Sequence, residues 1–384
     1  MHHYRYRSIS EISLKELMYN EMFFASPEEC NDPFDSKAFY EFKADKNKFK
    51  RLILFANENL KLPITQNLLE KLTNHICKLC PISFDDAIQK DLFSDFAAKS
   101  DIEIHITNRI SKMIQQVLKL YNPPTRYFVS FSKTNSEPLM WSHYADRHRG
   151  FCLIFKAIDG KILQSHTQQK AQIRRKTPKG IAEDMSFGMP EEFEFKNIDY
   201  KSKVKHLDGF LHLPVYINGK AKNESEQKKI YDLQQKHYSQ KGKSWSYEKE
   251  TRLILNPPPS FLFGEHIEYT SQERLYHYEP SQLVGIIYGA KMELRQKQRI
   301  DEILKERENW ININNNYKRI VFNFVEFQAK LSTNQREVEI IPTAIRNYNK
   351  ITPKDKDFDR LFKEWKSGIG HERGKNSKLL SRGI

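Results

Sequence analysis

Residues 126–132 read RYFVSFS, a run of aromatic and β-branched side chains that ends in a Ser-x-Ser pair. Such a run is typical of a buried strand. A short helix is predicted over Leu139–His148, stopped by Gly150, and Phe151–Phe155 predicts a second strand. Helices and strands follow one another without the regular alternation of a parallel α/β sheet. We therefore predict an α+β fold with a mixed, mainly antiparallel sheet.

Weaker patterns on both sides of this stretch extend the sheet. Further strands are predicted at Tyr4–Arg7, Met22–Ala25, Ser244–Leu255 (SWSYEKETRLIL), Val284–Tyr288, Val321–Ala329 and Glu337–Ile341, and further helices at Ile12–Met18, Asn223–Gln240 and Lys291–Glu308. The spacing Ser8-x-x-Glu11 predicts a capping box for the first of these helices. Residues 158–220 predict no regular element.

The domain organisation follows from two further stretches. Residues 45–121 carry apolar side chains at helical spacing, such as Ile106, Ile110 and Met113, and predict an all-helical insertion. After Pro342 the chain turns polar and basic. We therefore predict one elaborated α+β domain over residues 1–342 and a loosely attached tail over 343–384.

Composition excludes several classes of protein. The 384 residues include 12% aromatic side chains, which argues against intrinsic disorder, and only 4 cysteines, which argues against a disulfide scaffold. No apolar run approaches the roughly 18 residues of a membrane span, and Met1–Arg7 lacks the apolar region of a signal peptide. We predict a cytoplasmic protein with no membrane partner.

The net charge of +14 is unevenly distributed. Residues 156–180 hold seven basic side chains and one acid, residues 181–195 hold five acids, and residues 196–249 hold twelve basic side chains and six acids. A basic region over 156–249 is what a nucleic-acid partner requires, because neutralised phosphates release counterions. It fits a lysine-rich solvated surface equally well.

Six short motifs stand out along the chain. In order they are Tyr4-x-Tyr6-Arg7, Asn31-Asp32-Pro33-Phe34-Asp35, Ser130-Phe131-Ser132, Met140-Trp141-x-His143-Tyr144-Ala145, Gly150-Phe151-Cys152 and Trp245-x-Tyr247-Glu248-x-Glu250-x-Arg252. Together they resemble the bacterial family known as domain of unknown function 2971, from residue 4 to about residue 330. The resemblance implies a bacterial or phage-related setting, in which some members lie beside defence or toxin genes, and it assigns no activity.

An arginine on the first strand, a Ser-x-Ser strand and a late Glu-x-Glu strand are also similar to the pattern of ADP-ribosyltransferases. The matching positions are Arg5 or Arg7, then Ser130 and Ser132, then Glu248 and Glu250. This resemblance implies NAD as substrate, ADP-ribose transfer to a macromolecule such as nucleic acid, and no metal. Glu250 would be the catalytic carboxylate and Glu248 would orient the acceptor, while Arg7 would hold phosphate and Ser130 would support the ribose. Phe131 departs from the small polar residue usual between the two serines.

The chemistry of this pattern is coherent. Cleavage of the nicotinamide–ribose bond builds positive charge on the ribose, which a neighbouring carboxylate stabilises. An arginine offers paired donors to the pyrophosphate, and Trp141, Tyr144 or Tyr247 would stack on the nicotinamide. Alternate residues of a strand share a face, so we expect Glu248 and Glu250 to point the same way.

Several of these residues fit structural roles as well. Glu248, Glu250 and Arg252 fit an ion-pair network with the first-strand arginines, and Trp141 and Tyr144 fit a core. His143 is a candidate general base oriented by Asp146, and it also fits an ordinary surface histidine. The Asn31–Asp35 turn is expected to be rigid with Phe34 plugging the core; a loop over the site is the alternative.

Two other functional classes remain open. Asp32, Asp35, Glu248 and Glu250 are oxygen ligands suited to Mg²⁺ in a nuclease, with Lys249 or Arg252 near the phosphate. In a strand, however, Lys249 would point away from both glutamates. A non-catalytic module that binds nucleic acid or another partner is the third class.

Overall fold

The computed structural model describes residues 1–35, 38–123, 125–165, 170–176, 182–188, 190–201, 203, 205–219, 221, 223–256, 268–314, 323–347 and 349–368. Its helices are α1 (Glu11–Met18), α2 (Lys46–Glu58), α3 (Gln66–Leu79), α4 (Phe84–Gln89), α5 (Asp101–Leu120), α6 (Pro138–Tyr144), α7 (Val215–Asn218), α8 (Glu224–Tyr238), α9 (Leu294–Asn314) and α10 (Phe358–Ser367). Short 3₁₀ helices lie at Pro27–Glu29, Gly209–His212, Lys243–Glu248 and Pro280–Gln282. Within these ranges, no helix combines the length and the apolar character that crossing a bilayer requires.

The strands of the described chain are numerous and mostly short. They are β1 (His2–Arg7), β2 (Glu21–Phe23), β3 (Tyr40–Phe42), β4 (Ile82–Ser83), β5 (Tyr127–Ser132), β6 (Phe151–Lys156), β7 (Lys161–Leu163), β8 (Lys170–Lys176), β9 (Ala182–Gly188), β10 (Glu192–Glu194), β11 (Lys196–Asn197), β12 (Asp199–Lys201), β13 (Leu207–Asp208), β14 (Gln240–Gly242), β15 (Glu250–Leu255), β16 (Leu275–His277), β17 (Leu283–Tyr288), β18 (Phe324–Leu331), β19 (Val338–Asn347) and β20 (Asn349–Ile351). Residues 158–220, expected to be irregular, thus contain β7 to β13.

Nine of these strands form the central sheet, in the order β11-β15-β5-β1-β6-β17-β18-β19-β20. Every neighbouring pair is antiparallel except β17 and β18, which are parallel and connected through α9. A parallel pair needs such a long crossover, whereas antiparallel neighbours do not. The predicted α+β fold with a mixed, mainly antiparallel sheet is confirmed.

The sheet is covered on both faces. On one face, α1 and α9 pack against residues such as Phe131, Phe151 and Leu253. On the other face, α6 and α10 pack through Trp141 and Trp365. Both faces of the central strands are therefore buried, which explains why RYFVSFS reads as an almost continuous apolar run.

A second hydrophobic core lies outside the sheet. Helices α2 to α5 build it together with β3 and residues 207–217. The segment 45–121, expected to be wholly helical, holds four helices but also the short strand β4, which pairs with β3. It therefore shares a core and a small sheet with segments that precede and follow it.

The expectation of a loose tail is wrong for residues 343–368. There β19 continues to Asn347, β20 adds an edge strand, and α10 buries Phe358, Leu361 and Trp365 against the sheet. Trp365 Nε1 also donates to the Val284 carbonyl at 2.9 Å. Aromatic anchors inside a basic sequence explain the error, and residues 369–384 lie outside the described residues.

Two helix ends differ from expectation. The N-cap of α1 is Ser10, which forms its capping box with Ser13 in place of the expected Ser8 and Glu11. Helix α6 ends at Tyr144 instead of His148, because Asp146, Arg147 and His148 take left-handed backbone angles with φ of 43°, 52° and 69°. This turn carries the chain directly into β6.

Gly150 closes that turn and is expected to be intolerant of any side chain. A Cβ at this position would lie 2.2 Å from the Arg7 carbonyl oxygen and 3.0 Å from the Ala145 backbone. Backbone cannot move aside as a flexible side chain can, so Gly150→Ala should lower the free energy of unfolding by about 3 kcal/mol. Urea denaturation measures this, with Gly242→Ala as the control because its nearest neighbour would be 3.6 Å away. Equal stability of the two variants would contradict the packing described.

Candidate functional site

Five charged side chains meet at the β5–β15 side of the sheet. Asp35, Lys241, Glu248, Glu250 and Arg252, called the charged cluster below, are all buried. Lys241 lies among the three carboxylates, with Nζ at 2.7 Å from Glu248 Oε2, 3.1 Å from Asp35 Oδ2 and 3.3 Å from Glu250 Oε2. One ammonium group thus bridges the 31–35 loop, the 3₁₀ helix and β15.

Arg252 holds two of the same carboxylates in a fork. Its Nε and Nη2 donate to the two oxygens of Glu250 at 2.5 and 2.7 Å, and its Nη1 lies 2.7 Å from Asp35 Oδ1. The guanidinium also lies over the Phe128 ring, 4.2 Å from its centroid. Its exposed fraction is 0%, so the charge of Arg252 is balanced entirely by protein groups.

The local sequence explains how β15 presents two charges together. Glu250 and Arg252 alternate with Thr251 and therefore share a face of the sheet, opposite Ser132 and Ser130 of β5 in the strand register. Ser130 lies beside the Glu250 carboxylate and helps to lower its pKa. Ser130 is also the exposed residue of β5, whose other members are buried. The surface therefore opens at this point of the sheet.

Glu248 reaches the cluster by a different route from the predicted one. The expected strand over Ser244–Leu255 is wrong in its first half, which is a 3₁₀ helix ending at Glu248. Lys249 then takes a left-handed φ of 45° before β15 begins at Glu250. The chain reverses at Lys249, so the two glutamates converge although they do not belong to one strand.

The two glutamates of the charged cluster differ in acidity. Burial raises the pKa of Glu248 above its usual value, although Lys241 opposes the rise. Burial acts in the same direction on Glu250, but Arg252 and Lys241 outweigh it and lower that pKa to about 2. Of the two carboxyls, Glu248 is therefore the one that takes up a proton first as the pH falls.

An aromatic rim connects Glu248 with the surface. It consists of His143, Tyr144, Trp245 and Tyr247. Tyr144 Oη donates to Glu248 Oε1 at 2.5 Å and accepts from Asn31 Nδ2 at 3.2 Å. The Tyr247 ring lies 6.3 Å from His143 and 6.2 Å from Trp245, centroid to centroid, and Lys241 Nζ lies 5.0 Å from the Trp245 ring.

Comparison with known proteins covers part of this site. Residues 140–253 match a family model described as "Protein of unknown function (DUF2971)". Over these residues the chain is similar to the DUF2971 family. The matched segment holds most of α6 together with Lys241, Glu248, Glu250 and Arg252, but not the YRYR, NDPFD and SFS motifs. No curated protein and no solved structure gives a significant match.

The first-strand arginines do not join the charged cluster. Arg5 and Arg7 alternate with Tyr4 and Tyr6, and they pair with Glu16 of α1 at 3.6 and 2.5 Å. Helix α1 covers the face of the sheet opposite the one on which Tyr6 meets Trp141 of α6. The expected convergence of Arg5 or Arg7 with Ser130 and Glu250 is therefore wrong.

The remaining predicted residues are divided between core and rim. Trp141 is fully buried and donates from Nε1 to the Asn135 carbonyl, so it belongs to the core and not to a stacking platform. Ser132 donates to the Glu248 carbonyl at 2.6 Å and fixes the 3₁₀ helix. Among the described contacts His143 has no hydrogen bond with Asp146, which leaves it an exposed member of the rim.

The NDPFD turn takes the role that was the alternative. Phe34 is 69% exposed and does not plug the core. Asp35 instead binds Arg252 and Lys241, while Asn31 binds Tyr144. The turn is therefore a loop over the charged cluster, held from below by buried ion pairs.

The contacts of the four candidate metal ligands argue against the nuclease hypothesis. Within the described ranges, no group of three or more His, Cys, Asp or Glu side chains is arranged to hold a metal ion. Asp35, Glu248 and Glu250 do converge, but Lys241 Nζ occupies the point between them. Asp32 uses Oδ1 to accept from the Phe34 amide instead.

Lys241 is the residue of the DUF2971 segment that the sequence did not reveal, and its removal should be costly. Lys241→Met leaves three buried carboxylates with Arg252 alone, which should lower the free energy of unfolding by about 3 kcal/mol at pH 8. The pKa of Glu248, already raised, should rise further without the ammonium group. A carboxyl with a higher pKa in the folded than in the unfolded protein binds its proton more tightly in the folded state. The loss of unfolding free energy in Lys241→Met should therefore shrink as the pH falls toward 5.

Urea denaturation of Lys241→Met at pH 8 and pH 5 measures this effect. Lys243→Met, at an exposed position two residues away, is the matched control and should lose less than about 1 kcal/mol at either pH. A Lys241→Met deficit that is small, or that grows on acidification, would contradict the described role of Lys241.

Proposed function

We propose that the protein is a nucleotide-handling enzyme that transfers ADP-ribose from NAD to a macromolecule, with Glu248 as its acid–base group. The observation that carries this proposal is the environment of Glu248. Its carboxyl is buried, its pKa is raised by burial, and its contact with Tyr144 leads to the aromatic rim. A buried carboxyl with a shifted pKa beside half-exposed rings is a typical arrangement for catalysis on a planar ligand.

The division of labour between the two glutamates is revised in this proposal. Glu250 accepts hydrogen bonds from Nε and Nη2 of Arg252 and stays ionised. It therefore supplies a fixed negative charge and does not exchange protons. Glu248 faces Tyr144 and takes a proton more readily. Glu248 therefore replaces Glu250 as the reactive carboxylate, and Glu250 with Arg252 positions the strand.

The chemistry balances with the groups at hand. As the nicotinamide–ribose bond breaks, its electron pair leaves with nicotinamide and positive charge develops on the ribose. The acceptor forms the new bond to ribose and gives its proton to Glu248. In this proposal Tyr247, Tyr144 and Trp245 stack on a planar ring, and the exposed residue Ser130 lies beside the charged cluster.

The phosphate groups of NAD need a partner other than Arg5 and Arg7. Lys243 and Lys249 flank the rim segment and are exposed. They belong to the basic stretch 196–249, which suits an approaching polyanion. This charge supports nucleic acid as the macromolecular acceptor.

Release of nicotinamide by the purified protein tests the proposal directly. NAD is supplied with and without DNA or RNA, in the presence of a metal chelator, and nicotinamide and modified nucleic acid are both measured. Turnover of NAD under these conditions is the expected result. Cutting of nucleic acid that needs a divalent metal and no NAD would replace the proposal with a nuclease. Salt-sensitive binding of nucleic acid without turnover would replace it with a binding module.

A further inference from the structure

Arg126 is a buried arginine in an unusual electrostatic position. It is 7% exposed and directly precedes β5. Its Nε and Nη1 atoms are buried without a hydrogen-bond partner. A buried guanidinium normally has its donors occupied, because the cost of removing a charge from water is several kcal/mol unless another group compensates it.

The other buried arginines show which partners a buried guanidinium usually has in this protein. In the described residues they are Arg5, Arg252, Arg274, Arg307 and Arg346. Arg5 forms an ion pair with Glu16 at 3.6 Å. The other four donate hydrogen bonds to Asp35 and Glu250, to Glu29, to Asn20 and the Pro280 carbonyl, and to Glu326, respectively. Among the buried arginines of the described chain, only Arg126 has neither an ion pair nor a hydrogen bond to a protein oxygen.

Three tyrosines surround the Arg126 guanidinium. It lies 4.1 Å from the Tyr238 ring centroid and 5.9 Å from that of Tyr231, and Tyr40 is the third tyrosine acting on its charge. These rings do not supply a negative charge, because burial raises the pKa of both Tyr238 and Tyr40 and keeps the phenols neutral. The positive charge of Arg126 is stabilised by ring faces, and no carboxylate of the described residues pairs with it.

The tyrosine cage has an open side, and lysines lie around the helix that carries two of its rings. Tyr231 is 48% exposed, so the cage reaches solvent at α8. Burial and then Lys205, Lys236, His206 and Lys201 lower the pKa of His237, which places several cations around the same helix. The lysines around α8 favour the approach of an anion to this helix.

We propose that Arg126, within the cage of Tyr40, Tyr231 and Tyr238, is a binding site for an oxyanion, in the first place a phosphate group. A guanidinium matches two oxygens of phosphate through a parallel pair of donors, either Nε with Nη2 or Nη1 with Nη2. The two unpartnered nitrogens of Arg126, Nε and Nη1, each belong to one such pair. The phosphate is either free or carried on a nucleotide. This site does not depend on the function proposed for Glu248, since it concerns binding alone.

Thermal unfolding in inorganic phosphate, compared with chloride at equal ionic strength, tests the site. Phosphate should raise the Tm of the wild-type protein, on the order of 2–5 °C near saturation. Arg126→Met should abolish this increase and weaken phosphate binding by about tenfold or more in calorimetry. Arg109→Met removes an exposed arginine from α5 and should leave both readouts unchanged. An equal Tm increase in both variants, or no increase in the wild type, would overturn the proposal.

Two further measurements keep the test decisive. Tyr231→Glu places a carboxylate at the open side of the cage while Arg126 stays in place, and it should also remove the phosphate effect; an unchanged effect would count against the site. ADP in place of phosphate separates the two sources. An Arg126-dependent affinity for ADP that exceeds that for phosphate assigns the site to a nucleotide, and equal affinities assign it to free phosphate.

Discussion

Replacing Glu248 by glutamine is expected to reduce NAD-dependent nicotinamide release by about 100-fold or more, the usual contribution of a positioned acid–base group. Glutamine keeps the shape of the side chain and its contact with Tyr144, but it cannot accept a proton from the acceptor. In the wild type the activity should also fall as the pH drops through the raised pKa of Glu248, because only the ionised carboxylate acts as a base. That acidic limb should be absent from the residual activity of Glu248→Gln.

The control for this prediction is Glu302→Gln, which makes the same chemical change at an exposed position of α9. It should leave the rate and the pH profile unchanged. Thermal unfolding of both variants separates loss of catalysis from loss of fold. Wild-type rates in a folded Glu248→Gln protein would remove Glu248 from the reaction.

Arg252→Ala should have the largest effect on stability. The guanidinium holds Asp35 and Glu250 through bonds of 2.5–2.7 Å and packs on Phe128. Without it two carboxylates stay buried beside Lys241 alone, and a cavity is left where the side chain was. We expect the free energy of unfolding to fall by about 5 kcal/mol, the upper end for breaking a buried pair.

Arg360→Ala is the matched control, because Arg360 forms ion pairs with Asp357 and Glu364 on the surface of α10. Exposed pairs contribute little, so this variant should lose less than about 1 kcal/mol. Urea unfolding curves with equal slopes for wild type and both variants allow the comparison. Comparable losses in the two variants would mean that the charged cluster does not stabilise the fold.

Much of the sheet could be predicted because its strands carry local signals. RYFVSFS, GFCLIF and LVGIIY are apolar runs of strand length, and the structure places all three in the central sheet. The predictions are wrong where tertiary contacts override the structure that the local sequence favours. SWSYE has the aromatic content of a strand, yet the left-handed angle of Lys249 divides it from β15. The loose tail was predicted wrongly because the three buried residues of α10 stand among charged residues in the sequence.

The candidate site could be predicted only in part. Glu248, Glu250 and Tyr144 were found because they lie in dense motifs. Lys241 could not be predicted, because nothing in the sequence distinguishes it from the other members of the 63 Lys and Arg residues. Only the folded structure places its ammonium group next to the Trp245 ring. The position of Arg5 and Arg7 could not be predicted. Strand alternation shows that the two side chains share a face of the sheet, but it does not show which of the two faces this is.

The position of β1 has a consequence for how this protein is made. It ends at Arg7, but it lies between β5, which begins at Tyr127, and β6, which begins at Phe151. During synthesis β1 must therefore wait, unpaired, until both partners have left the ribosome. Pairings so distant in sequence fold slowly, and an unpaired strand is prone to aggregation meanwhile. Recovery of soluble protein should accordingly respond to translation speed and to chaperones that shield nascent chains.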